Sequence, residues 1–160
     1  MKYLKNPETN DYSNSLSPTM MYDIAKTQGE IFEYAYQQNY DMSIFIQKYM
    51  NSEFCNTEMD SECSYFHFKN AEMCLPYVIK ESDCPKSDKN KDCDYNFIGM
   101  IYRYLVFLTE KPSKEIFKII SPEELDDLSI SYENFEIEDA AKDILDNKRE
   151  QKNNNLLATL

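Results

Sequence analysis

The chain has 160 residues, with 17 Lys and Arg against 29 Asp and Glu, a formal charge of -12, 42% apolar residues and 14% aromatic ones. With 13 Tyr and 9 Phe it has the apolar surface that a disordered acidic chain lacks, and at this length one domain can fold without disulfides or metal. Two glycines, Gly29 and Gly99, are too few for a Rossmann or Walker phosphate loop, and one histidine, His67, excludes a multi-histidine metal site.

The amino terminus, MKYLKNPETNDY, has two lysines with no apolar stretch behind them, which is not the pattern of a secretory signal; a cytoplasmic product is expected. Ser17-Pro18 is a helix start, a capping hydroxyl followed by Pro at the first helical position. Met21, Ile24, Ala25, Gln28, Ile31, Phe32 and Ala35 then recur at three- and four-residue steps, so a helix of about five turns is expected, with Tyr34, Tyr36 and Tyr40 on its flanks. Asp41 can cap a second helix in which Met42, Phe45, Ile46, Tyr49 and Met50 repeat the spacing. The short connection predicts an antiparallel pair.

Residues 51–69 keep neither period and read as a loop with a short helical turn. Asn70 can cap AEMCLPYVIKE, in which Met73, Cys74, Tyr77 and Val78 favour helix while Pro76 and Val78-Ile79 favour strand; helix is expected. Residues 82–94, SDCPKSDKNKDCD, read as an exposed linker. Asp94 begins the most secure element, a helix to about Thr109 with Phe97, Ile98, Ile101, Tyr102, Leu105 and Leu108 on one wide face. Its apolar run is interrupted by Arg103 and is shorter than the roughly 20 residues of a membrane span, so no membrane is involved. Ser113 can cap KEIFKII, with Ile116, Phe117 and Ile120 inward, and Ser121-Pro122-Glu123-Glu124 repeats the start signal for PEELDDL. Ile137, Ala140, Ala141, Ile144 and Leu145 mark a last helix.

The expected fold is therefore mostly α, a single compact multi-helix domain of two helical halves joined by an exposed linker. Its parts are a flexible N-terminus (1–16), an N-terminal half (17–81), the polar linker (82–94), a C-terminal half (95–147) and a frayed tail (148–160).

The order around KEIFKII and PEELDDL matches a helix-turn-helix, but its charge opposes DNA. Residues 121–146 carry ten acids against one base, Lys142, for a net -9. Phosphate binding draws on Lys and Arg, so no direct nucleic-acid contact is expected. Glu123, Glu124, Asp126 and Asp127 are the candidate partner-binding residues, on a face that would steer a basic protein, a toxin or a nuclease. A plain solvated face explains the same charges. Cys63 and His67 stand four apart, yet the irregular run C-x7-C-x3-H-x6-C-x9-C-x8-C is not a zinc pattern, and nothing around SECSYFHF matches a nucleophile signature. Free thiols, with Cys55 and Cys74 among them, a partly exposed His67 and no metal or cofactor are expected. Arg103 is expected to stack on Tyr102 or Tyr104, to pair with an acid of the last helix, or to clamp a carboxylate or phosphate.

Two stretches, TQGEIFEYAYQQNYDMSIFIQKYMNSEFCNTEMD at 27–60 and IGMIYRYLVFLTEKPSKEIF at 98–117, resemble a family of small uncharacterised proteins of low-GC Gram-positive bacteria associated with toxin genes. The resemblance implies an antitoxin or immunity role and carries over no catalytic residue. The expected function is a non-catalytic acidic inhibitor of a basic protein. The alternatives are a phage-type DNA mimic, marked by carboxylates spaced like phosphates, and a small enzyme using His67 with a cysteine.

Overall fold

In the computed structural model, which describes residues 16–158, five of the helices begin at a residue whose side chain holds a free backbone N–H. Ser17 accepts from the Met20 N–H at 3.1 Å and opens α1, Pro18–Gln37. Asp41 opens α2, Met42–Met50, Asn70 opens α3, Ala71–Glu81, and Asp94 opens α4, Tyr95–Thr109, each through the same contact. After α5, Ser113–Ile119, a reciprocal capping box between Ser121 and Glu124 opens α6, Pro122–Ser129. A 3-10 turn, Ile130–Tyr132, leads to α7, Ile137–Ala158. The fold is mostly α: among the described residues no strand occurs, only an isolated bridge between Tyr40 and Lys86. None of the described helices is long and apolar enough to cross a membrane.

The predicted inward faces of α1 and α2 are all buried. Helix α4 goes further than its predicted face, because every residue from Phe97 to Phe107 is buried. It is the central helix, with α1 as its main partner and α7, α5 and α6 around it. The two glycines of the chain meet where α1 crosses α4. A Cβ on Gly99 would lie 2.9 Å from the Gln28 carbonyl oxygen and 2.9 Å from the Gly29 Cα, and a Cβ on Gly29 would lie 2.8 Å from the Asn96 carbonyl oxygen. Glycine at both places lets the helix backbones touch.

The N-terminal and C-terminal halves share the one core expected of a single compact domain, and the α1–α4 crossing is where they meet most extensively. Between α1 and α2, Phe32 packs edge-on to Phe45 and to Tyr49, and Asn39 turns the corner with a left-handed φ of 63°. The 51–69 stretch holds a π-helical turn, Cys55–Met59, and a 3-10 turn, Tyr65–Phe68. Helix wins at Pro76, where Cys74, Leu75 and Val78 face the core.

The linker 82–94 has no helix but is strapped to the α1–α2 corner. Asn90 accepts from the Met42 N–H at 2.8 Å and donates to the Tyr40 carbonyl at 2.6 Å, while Lys86 donates to the Gln38 carbonyl. Of the expected flexible N-terminus only Leu16 lies within the described residues, and it is buried. The expected fraying from 148 is not seen: α7 continues through Ala158, since Lys148, Arg149, Glu150, Gln151 and Lys152 are good helix formers and no Gly or Pro interrupts them.

Candidate functional site

Two polar constellations stand out, one buried and one on the surface. The buried one is built on Arg103, which α4 places at the centre of the molecule with no exposed surface. Its Nη1 donates to Asp60 Oδ1 at 2.7 Å and to the Met59 carbonyl at 3.1 Å; its Nη2 donates to Gln28 Oε1 at 2.7 Å and to Ser113 Oγ at 3.2 Å. Asp60 also accepts from the Ser113 hydroxyl at 2.6 Å and from the Ser113 N–H at 2.9 Å. Gln28 accepts from the Tyr49 hydroxyl and donates to the Gly99 carbonyl, both within 2.9 Å. The network therefore joins α1, α2, the 55–60 turn, α4 and α5.

This placement corrects two expectations. Arg103 pairs with Asp60 of the N-terminal half, not with an acid of the last helix, and its guanidinium is spent on protein partners. Ser113 is not the cap of α5: Pro112 holds that position without a side-chain bond, and the Ser113 hydroxyl serves Asp60 instead. A buried ion pair is stable only when its remaining donors and acceptors are satisfied, and here they are satisfied by groups of α1, the 55–60 turn and α5.

His67 is buried and not partly exposed, with Nε2 at 3.1 and 3.2 Å from the Glu58 and Met59 carbonyls. Two carbonyls facing one ring nitrogen assign the proton to Nε2. Burial, with the Arg103 charge adding to it, lowers the His67 pKa to about 4. Burial likewise pushes the Cys55 thiol up to about 12, with Asp60 contributing, and Cys74 up to about 11. Those directions are opposite to the activated thiolate of a cysteine nucleophile. All five cysteines are free, with Cys63 exposed and Cys84 and Cys93 half-buried. Among the described residues no group of three or more His, Cys, Asp or Glu is arranged to hold a metal ion.

The surface constellation is the acidic segment. Because α6 is a single two-turn helix, residues three apart share a side. Glu123 and Asp126 line a cavity of about 410 Å³ between α6, the linker and the starts of α2 and α4, whereas Glu124 and Asp127 line another of about 380 Å³ between α6 and α7. Two of the four candidate residues are neutralised within the chain: Asp126 pairs with Lys91 of the linker and Glu124 with Lys148 of α7. Glu138 pairs with Lys142, and Asp143 accepts from the Tyr132 hydroxyl. Glu123, Asp127, Glu133, Glu136, Asp139 and Asp146 are exposed and have no ion pair among the described residues. Lys91 and Lys148 lie outside the segment in sequence, so their pairing could not be read from its charge count.

Comparison with protein-family models, curated proteins and solved structures returns no match. The chain's own geometry is the ground for a functional reading.

Proposed function

We propose that this protein is a non-catalytic binding module that masks a basic protein, in the manner of an antitoxin or immunity protein. The observation that carries the reading is the set of six exposed, unpaired carboxylates on α6, the following turn and the first half of α7. Lys91 and Lys148 reduce the local charge without cancelling it, and a one-signed field of this kind speeds the approach of an oppositely charged surface. The division of the α6 acids between two sides gives little support to a single row of phosphate-like charges, so a protein surface is preferred to a DNA mimic. The five free thiols support a reducing, cytoplasmic setting.

The test is to capture the tagged chain with its partner from its own host, in parallel with a variant carrying Glu123→Gln, Asp127→Asn, Glu133→Gln and Glu136→Gln. The reading expects a basic protein that the unsubstituted chain retains and the variant loses at physiological salt. Equal retention by both would overturn it.

A further inference from the structure

Within the acidic segment, the turn between α6 and α7 shows apolar side chains to solvent. Ile130 is 78% exposed, the most exposed large apolar residue among those described, and Phe135 is 49% exposed. The turn that presents them is held from beneath. Tyr132 is buried, its hydroxyl donates to Asp143 at 2.7 Å, and its ring meets that of Phe135 edge-on at a centroid separation of 5.0 Å. The Phe135 N–H donates to the Tyr132 carbonyl at 3.0 Å, closing the turn. Around the pair in sequence stand Asp127, Glu133, Glu136 and Asp139, exposed and unpaired, and no Lys or Arg occurs from Ile119 to Ala141.

Resting on the reading of this face as a binding surface, we infer that Ile130 and Phe135 are its apolar anchors, and that they take an amphipathic basic segment of the partner, with aliphatic side chains flanked by Lys or Arg. Protein interfaces have an apolar centre inside a polar rim, and truncating a few central residues removes most of the affinity. A single exposed apolar residue on a surface is ordinary. Two on one braced turn, inside a field of one sign, complement a partner with apolar side chains inside a basic rim. The two roles separate kinetically, because rim charges set the association rate while anchors in the interface centre set the dissociation rate.

The experiment uses the full chain and a 14-residue Leu/Lys peptide in amphipathic helical order, with a scrambled isomer of the same composition, followed by stopped-flow fluorescence. With the unsubstituted protein, the ordered peptide should dissociate at least tenfold more slowly than the scrambled one. Ile130→Ser with Phe135→Ser should abolish that difference and leave association unchanged. Ile130 projects into solvent and Phe135 gives up only its half-exposed ring contact with Tyr132, so the fold is retained, and Ile130→Ser alone, which leaves that contact in place, should lose part of the difference. Equal dissociation of the two peptides from the unsubstituted protein, or a difference that survives the double substitution, overturns the anchor assignment. The quadruple carboxylate variant forms a separate arm: if its association is as fast as the original's, the steering reading fails, whatever the dissociation rates show.

Discussion

Replacing Arg103 by methionine removes its hydrogen bonds to Gln28, Met59, Asp60 and Ser113 at once and leaves the Asp60 carboxylate, 1% exposed, to the Ser113 N–H and hydroxyl. Methionine restores much of the volume, so the cost is that of an uncompensated buried charge, about 3–5 kcal/mol. Against a stability of about 5–15 kcal/mol for a domain, that is a large fraction. Asp60→Asn alone strands the guanidinium and is also destabilising. Together the two substitutions remove both charges while the introduced amide keeps an acceptor for the Ser113 N–H, so the double variant should be more stable than the sum of the singles predicts, by about 2 kcal/mol. Urea unfolding followed by helical circular dichroism, on all four proteins, reads the coupling directly. Arg103→Met within about 1 kcal/mol of the parent, or additivity within about 0.5 kcal/mol, would refute the view that this pair joins the two halves.

At the α1–α4 crossing, Gly99→Ala gains about 1 kcal/mol of helix propensity but overpacks against the Gln28 backbone at about 1–3 kcal/mol, so a net loss of stability is expected in thermal unfolding. A gain would mean that the helices are not in close contact. His67, at about 4 in the fold against an ordinary 6.5, makes the unfolded chain bind more protons between those values, so its contribution is complete above pH 6.5 and is lost as pH falls towards 4. The loss amounts to roughly 3 kcal/mol, and unfolding of His67→Gln should show a correspondingly flatter profile across that window. In native thiol titration Cys63 should react first and Cys55 and Cys74 only on unfolding, a fast phase that Cys63→Ser should abolish.

What was legible in the sequence was local. The three- and four-residue spacing of Ile24, Gln28, Ile31 and Phe32, and the caps Ser17, Asp41, Asn70, Asp94 and Ser121, depend on neighbours within a turn or two, and all appear as read. What escaped depends on distant partners. Asp60 lies 43 residues from Arg103 in an aperiodic stretch, and no spacing rule connects them. The burial of His67 and the diversion of the Ser113 hydroxyl from its capping position follow from that same centre. The glycines, informative at first only for being few, acquire their role from a crossing that neither helix specifies alone. Of the acidic candidates, Glu123 and Asp127 remain available, while Glu124 and Asp126 are held by lysines 24 and 35 residues away, which a count over one segment does not see.

The claim that the α6–α7 face steers a basic partner is tested most directly by the association rate of the captured partner, measured by stopped flow from low to physiological salt. The unsubstituted chain should associate about tenfold or more faster at low salt than at high salt, and the variant with Glu123, Asp127, Glu133 and Glu136 neutralised should lose most of that advantage while its dissociation rate changes little. If the neutralised chain associates as fast as the original at low salt, the acidic face is a solubilising surface and the proposed function falls.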